Sequence, residues 1–422
     1  MLHVAVCDRV GRIYRNENAR AAGRSGRLFS ELLDSDVIPL PEGSSLMRLP
    51  DRAAVGIEPK TGEFVRAEPG DAVAALLPQG YTRTFLPAYS GRAESPRLPL
   101  FGYSAVAFRD EELVVAAIRT DERDTWNPIH YNLPELAGLI EAALAEHPAN
   151  RILRQLAVCA SNYQCFTAQN IFYRRWEGGV PVSPKCNSNC IGCISLQPSE
   201  CCPSPQQRID FVPTVDEIVE VALPHLEQGE EAIISFGQGC EGEPTLQHET
   251  IAEAVRAIRS RTDKGTINAN TNAGNTEAIR NISDSGIDSL RVSLASARPE
   301  YYDRYHMPKG FGLPDVEQSI RLARERGVYV SLNYLVFPGF SDLEPEVEAL
   351  ADLIERTGVQ MIQVRNLNID PEVFADLMLQ PADDRDDGPE PVGVSAMIDH
   401  IRDCSPEIVI GSFSLPVRNS RG

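Results

Sequence analysis

The segment PKCNSNCIGCIS (184–195) places Cys186, Cys190 and Cys193 in the spacing C-x3-C-x2-C. Three thiolates on one short loop can hold three irons of a [4Fe–4S] cube. The fourth iron then has no ligand from this loop and is free to bind a small molecule. Gly192, between two of the cysteines, lets the backbone curl tightly. The same loop could instead be a zinc knuckle, with Cys201, Cys202 or a histidine as fourth ligand. Spacing alone favours iron and leaves zinc open.

Eight of the ten cysteines fall between residues 159 and 240. Cys159 and Cys165 precede the loop, Cys201 and Cys202 follow it, and Cys240 lies further on. Such extra thiols could bind a second iron–sulfur cluster. The preferred reading is that they are inert, and Cys240 in particular reads as a small buried hydrophobe. The seven histidines show no pair at metal-ligating spacing. His306, in YYDRYHMPKG, is a weak proton-transfer candidate, and Tyr301, Tyr302 and Tyr305 beside it read as packing. Gln363, Arg365 and Asn366 close a strand-like run, where polar side chains can bind a carboxylate or phosphate. Arg365 could equally pair with a structural acid.

These residues need elements to position them, and the centre of the chain supplies a rhythm of strand then helix. VPVSP (180–184), EAIISFG (231–237), GTINANTN (265–272), SLRVSLAS (289–296), VYVSLNYLVFPG (328–339) and VQMIQVRNLNI (359–369) read as strands. Helical periodicity separates them at 215–229, 248–262, 276–286, 315–327 and 344–358. Alternation of this kind implies parallel pairing and right-handed crossovers. Six units make a partial (β/α)6 barrel, since eight are needed to close one. Reactive residues then belong at the C-terminal strand ends. The cysteine loop follows the first predicted strand, and SFGQGCEGEPTL (235–246) the second.

Together these segments resemble the radical S-adenosylmethionine (SAM) superfamily over roughly residues 180–370. Gly242, Glu243 and Pro244 are similar to that family's GGEP turn, with Glu241 where its first glycine usually stands. NANTNAG (268–274), SLAS (293–296) and NYLVFPGFSD (333–342) look like its ribose-, carboxylate- and adenine-contacting strand ends. The resemblance implies that Cys186, Cys190 and Cys193 hold a [4Fe–4S] cluster. It implies that Gly242, Glu243, Pro244, Asn270, Asn272, Ser293 and Asn333 contact SAM. The reaction implied is reductive cleavage of SAM to a 5′-deoxyadenosyl radical, which takes hydrogen from a substrate. Ferredoxin or flavodoxin is the implied electron donor, and the substrate is a small molecule or a protein. The competing reading is a non-catalytic iron–sulfur or zinc protein serving electron transfer or structure. A methylthiotransferase is disfavoured, because only Cys7 lies in the first 158 residues. A peptide maturase with auxiliary clusters is disfavoured, because only Cys404 follows Cys240.

The flanks read as additions. Residues 1–150 suggest an α+β domain of unassigned role, with strands near 51–59, 62–68, 103–110 and 112–120 and a helix at 133–148. Residues 151–179 suggest a helical connector, 180–370 the core, and 371–422 a C-terminal extension. That extension opens with the acidic loop 381–393, then a short helix near 394–403 and a strand near 407–413. Sixty acidic residues against forty basic ones give a formal charge of −20. That argues against general nucleic-acid binding. No apolar run is long enough for a membrane helix, and the N-terminus lacks a signal-peptide core. The expectation is a cytoplasmic protein with reduced cysteines.

Overall fold

The computed structural model describes residues 1–91, 95, 97, 98, 100, 102–196, 205–379 and 390–418. Its centre is a parallel sheet of β1 (Arg175–Gly179), β2 (Glu230–Phe236), β3 (Thr266–Thr271), β4 (Ser289–Leu294), β5 (Tyr329–Val336), β6 (Met361–Asn366) and β7 (Val409–Gly411), adjacent in chain order. Between them run α1 (Val215–Gln228), α2 (His248–Arg259), α3 (Thr276–Asp284), α4 (Pro299–His306), α5 (Leu313–Glu325) and α6 (Glu344–Thr357). A capping box of Thr214 and Glu217 starts α1, and Gly358 at φ 67° stops α6 in the left-handed conformation.

The strands alternate as a half-wound barrel requires. Leu290, Val292, Leu294, Val330, Leu332, Ile362 and Val364 face the helices and join one hydrophobic cluster with Ile251, Val255, Ile320 and Leu353. The intervening residues face a polar interior. Ser235 Oγ donates to Glu177 at 2.7 Å, Asn268 Nδ2 to Ser235 Oγ at 3.0 Å, and Ser289 Oγ to Asn268 Oδ1 at 2.9 Å. Every second residue on one strand face reaches the same side, so these contacts follow from the period of two.

Two elements differ from the sequence expectation. The first strand is Arg175–Gly179 rather than 180–184. Pairing with β2 runs from Arg175 to Gly179, and Val180 adds one bond to the Ser235 carbonyl. Pro181 has no amide to continue the ladder. The barrel also has seven strands, not six. The run EIVIGSF contributes β7, which pairs parallel to β6 with Gln363 opposite Gly411.

The sheet stays open between β7 and β1, and aromatic rings fill the gap. Phe413 stacks on Trp126 at 5.7 Å, Trp126 on Tyr131 at 6.2 Å, and Tyr131 on Phe166 at 3.7 Å, with Trp176 of β1 6.4 Å from Tyr131. Asp121 accepts from the Ser412 amide at 2.8 Å and so ties this segment to β7.

The strands of the N-terminal part form an antiparallel β-structure. Leu2–Cys7, Ile13–Ser25, Ser45–Ile57, Phe64–Leu76 and Ser104–Arg109 are its main strands, and among the described residues no α-helix precedes Leu136. The helix expected at 133–148 exists as Leu136–Glu146, but Leu136 and Ile140 pack into the barrel's own cluster. The connector forms two helices, Arg151–Ser161 and Phe166–Tyr173. Most of the acidic loop 381–393 lies outside the described residues, and the helix after it is Val394–Cys404.

The β-structure covers the C-terminal ends of β5 and β6. Val4, Val6, Tyr89 and Tyr103 share a cluster with Phe337, Phe340, Leu367, Ile369 and Phe374. Arg52 and Asp370, both buried, pair at 3.0 Å across the contact. Arg83, wholly buried, donates to the carbonyls of Val336 and Leu367 and to Asn368. No described helix is long and apolar enough to cross a membrane.

Candidate functional site

The cysteine loop is held by a helix end. The last carbonyls of an α-helix have no partner inside the helix. Here the Tyr305 carbonyl of α4 accepts from the Ile191 amide at 3.1 Å, and the His306 carbonyl accepts from the Asn189 amide at 3.1 Å. Lys309 N donates to the Asn187 carbonyl at 2.9 Å, and Cys193 N to the Cys190 carbonyl at 3.2 Å. A Cβ on Gly192 would sit 2.6 Å from the Tyr305 hydroxyl, so the glycine lets the loop pack close against α4. Tyr301, Tyr302 and Tyr305 are all buried in packing positions.

The three thiols are half-buried and sense one another. Burial is the main effect raising the Cys190 thiol above its ordinary range, and the nearby charges of Cys186 and Cys193 add to it. Burial and the Glu243 carboxylate likewise push the Cys186 thiol up. Cys186 and Cys190, raised in this way, need a cationic centre to become thiolates together. Among the described residues, no three His, Cys, Asp or Glu converge tightly enough for one metal ion. Thiols attached to separate irons of a cube need no such convergence. The guanidinium of Arg208 lies 3.7 Å from Cys193 Sγ and donates to Ser195 Oγ at 3.0 Å. His306 Nδ1 is 3.4 Å from Cys190 Sγ, and burial pushes this imidazole down to about 3, so it is neutral near pH 7.

The turn after β2 packs directly on the loop. Gly242 N donates to the Ser183 carbonyl at 2.7 Å, and Glu243 N to the Lys185 carbonyl at 2.8 Å. A Cβ on Gly242 would lie under 3.0 Å from the Lys185 carbonyl. The glycine therefore lets the turn meet the cysteine loop, whereas the resemblance implies a contact with SAM. Glu241 accepts from the amides of Val182 (2.7 Å), Ser183 (2.9 Å), Gly237 (2.5 Å) and Gln238 (3.2 Å). Burial pushes its carboxyl up to about 8 while the four amides pull the other way. The residue standing in place of the motif's usual glycine thus staples the ends of β1 and β2 together. Glu243 accepts from Thr245 Oγ1 at 2.7 Å, Thr271 Oγ1 at 2.5 Å and the Asn272 amide at 2.8 Å. Its carboxylate is turned to the end of β3, and Pro244 opens a short 3-10 turn to Gln247.

The other residues expected at the cofactor divide into two groups. Asn270, Ser293 and Asn333 line the barrel interior, with Ser293 and Asn333 opposite each other in register. Asn270 Nδ2 is buried without a partner, a donor waiting for an acceptor. Asn272 instead reaches the cysteine loop, donating to Asn187 Oδ1 at 2.6 Å. Cys240 points away from the loop into the hydrophobic cluster, where it meets Cys159. Cys165 is close to that pair, Cys404 is exposed on its helix, and Cys201 and Cys202 lie outside the described residues. Sequence reasoning missed Arg208, a lone arginine after a Pro-rich stretch with no motif around it. It also missed Glu177 and Arg291, which the strand alternation could have assigned to the interior.

Residues 180–354 match the family model described as the Radical SAM superfamily. No curated protein matches the chain. Among solved structures, the chain is similar to HydG, a maturase of the [FeFe]-hydrogenase, at 18% identity and a TM-score of 0.40, over 68% of this chain and 64% of that one. It is similar to methylornithine synthase (PylB) at 14% identity and a TM-score of 0.38, over 68% of this chain and 73% of that one. A radical SAM methyltransferase from Sphaerobacter thermophilus is similar at 17% identity and a TM-score of 0.37, over 64% of this chain and 89% of that one. The chain thus spans under two thirds of the HydG length.

Proposed function

We infer, from a chain whose residues 180–354 form a radical SAM domain, that the protein is an enzyme initiating radical chemistry on an organic substrate within its barrel. The family uses a [4Fe–4S] cluster and SAM, which together supply a 5′-deoxyadenosyl radical able to take a hydrogen atom from a substrate. In this reading Cys186, Cys190 and Cys193 hold the cluster. Arg208 sets a positive charge beside Cys193, and α4 fixes the loop through its free carbonyls. The backbone of the 242–244 turn borders the SAM methionine, and Asn270, Ser293 and Asn333 line the remaining cofactor space. The β-structure over β5 and β6 screens the mouth from water, as radical chemistry demands.

The observation carrying this reading is the pinning of the 242–243 turn onto the Ser183–Lys185 backbone by two hydrogen bonds of 2.7 and 2.8 Å. It joins the cysteine loop and the GEP turn at one rim, on the C-terminal side of β1 and β2. The donor is proposed to be a ferredoxin or flavodoxin. The test is anaerobic reconstitution with iron and sulfide, dithionite reduction, and assay for 5′-deoxyadenosine from SAM. The expected result is 5′-deoxyadenosine formation that requires all three loop cysteines. A reconstituted, folded protein that leaves SAM intact would overturn the reading.

A further inference from the structure

Two arginines, Arg291 and Arg365, meet over one amide of the barrel interior. Arg291 on β4 donates to Gln363 Oε1 and to Ser414 Oγ, each at 3.3 Å, and lies 3.8 Å from the Glu177 carboxylate. Its Nε is buried with no partner. Arg365 on β6 donates to the same Gln363 Oε1 at 3.3 Å and to Gln79 Oε1, from the N-terminal part, at 2.8 Å. Among the described residues no carboxylate lies within ion-pair distance of Arg365. Two guanidiniums therefore share one neutral amide oxygen, in the place where an anion would bridge them. Glu177, among the described residues the one carboxylate paired with either, also accepts from Ser235 and Gln238. Burial and the neighbouring Arg291 charge bring Arg365 down to about 9, while the charges of Glu177 and Asp121 pull the other way.

Other arginines of the barrel have a carboxylate partner. At the opposite end of the barrel, Asp288 pairs with Arg259 at 2.5 Å and with Arg418 at 2.9 Å. Arg365, by contrast, is half-exposed and among the described residues has no carboxylate within ion-pair distance, so its charge is open to a ligand. Access is also graded. Ser235, Asn268 and Gln363 form a buried floor, whereas Ser293, Asn333 and Arg365 are half-exposed. Planar guanidiniums suit the two oxygens of a carboxylate or phosphate.

We propose that Arg365, backed by Arg291, binds a negatively charged group of the substrate, a carboxylate or a phosphate, inside the barrel. The assignment of that group to a substrate rests on the radical SAM reading. The anion would be held near the sixth strand's C-terminal end, on the rim that carries the cysteine loop. The substrate body then extends from there into the barrel interior, beside the space that Asn270, Ser293 and Asn333 give the cofactor. Gln79 gives the N-terminal part a role, since it positions Arg365 from outside the barrel.

The two tryptophans of the chain, Trp126 and Trp176, report on this site. Phe413 stacks on Trp126 at 5.7 Å and lies under the Arg365 guanidinium at 6.0 Å. The full chain is titrated with inorganic phosphate and separately with succinate, with chloride holding ionic strength constant. Expected is a saturable change in tryptophan emission and a rise in thermal midpoint with at least one of the two. Phosphate alone points to a phosphate group, and succinate alone to a carboxylate. Arg365→Gln and Arg291→Gln should weaken the response by about tenfold or more, with Arg365→Lys intermediate. Arg418→Gln, at the far end, should leave it unchanged. Should Arg291→Gln fail to fold, the two half-exposed Arg365 variants carry the test. No saturable response to either anion, or equal affinity in Arg365→Gln, overturns the proposal. A missing anion response with 5′-deoxyadenosine formation intact sinks only the anion site. An anion response without 5′-deoxyadenosine formation sinks only the radical reading.

Discussion

Replacing Gly242 by alanine tests the packing that joins the two halves of the site. The new methyl would lie under 3.0 Å from the Lys185 carbonyl and 3.1 Å from the Cys186 nitrogen. Both are backbone, so the loop itself must move. That motion strains the Gly242–Ser183 and Glu243–Lys185 hydrogen bonds, now 2.7 and 2.8 Å. Overpacking costs about 1–3 kcal/mol, and each weakened hydrogen bond roughly 0.5–1.5 kcal/mol. A total near 3 kcal/mol shifts the balance between docked and undocked loop by about a hundredfold. Gly239→Ala is the control. Its Cβ meets the Gln206 amide and the Ile194 methyl, both ends of side chains that can rotate away. The assay has two parts: the rate at which an aromatic disulfide reagent labels Cys186, Cys190 and Cys193 in the metal-free protein, and the iron retained after reconstitution and desalting. Gly242→Ala should label up to about a hundred times faster and lose iron, while Gly239→Ala stays near wild type. Wild-type labelling and iron retention in Gly242→Ala would refute the argument that the turn supports the loop.

Alanine at any of Cys186, Cys190 or Cys193 should abolish or destabilise the absorption near roughly 400 nm, whereas Cys404→Ala should not; three variants with stable clusters would refute the ligand set. Reconstituted protein should hold about four irons, because Cys159 and Cys240 face each other in the hydrophobic cluster; a count near eight that fell on mutating Cys201 and Cys202 would contradict this. The Arg151 hydrogen bond holds the Glu217 carboxyl down to about 2 from an ordinary 4.5, so its stabilisation is present above pH 4.5 and lost as pH falls toward 2. Arg151→Gln should lower the thermal midpoint at pH 7, and the gap to wild type should close in that acidic window; a constant gap would mean the pair contributes nothing. Phe413→Ala empties a buried ring site and should cost about 3–5 kcal/mol in urea unfolding, with a red shift from Trp126; unshifted emission would argue against the stacked seam.

Much of the barrel was legible because its signals are local. Helical periodicity predicts helices at 215–229 and 344–358, and α1 and α6 stand there as Val215–Gln228 and Glu344–Thr357. The cysteine loop was legible because ligand spacing is written in one segment. Non-local features were not. β1 carries RWEGG, without a β-branched residue, and is a strand only because β2 pairs with it. β7 contains three residues and is placed by the edge of β6. Glu241 read as a departure from a motif, because its four amide donors come from two strand ends 55 positions apart, at Val182 and Gly237. Arg208 and Arg291 gain meaning only from what the fold brings beside them. Asn272 and Asn270 sit two residues apart with the same side chain, yet one binds the loop and the other lines the interior.

The aromatic seam has a consequence for how the chain is made. Trp126, Tyr131, Phe166 and Trp176 leave the ribosome early, whereas Phe413 and the Ser412 amide that Asp121 holds emerge after all six preceding strands. Contacts spanning nearly 290 residues, as between Trp126 and Phe413, form late because the intervening chain must first be ordered. During synthesis the barrel therefore passes through a state with a side door between its first and sixth strands. Arg365, which lies against Phe413 in the finished protein, borders that door. Until β7 and the Phe413 ring arrive, that side of the nascent interior stays hydrated, so Arg291 and its Glu177 partner are not desolvated until a late step of folding.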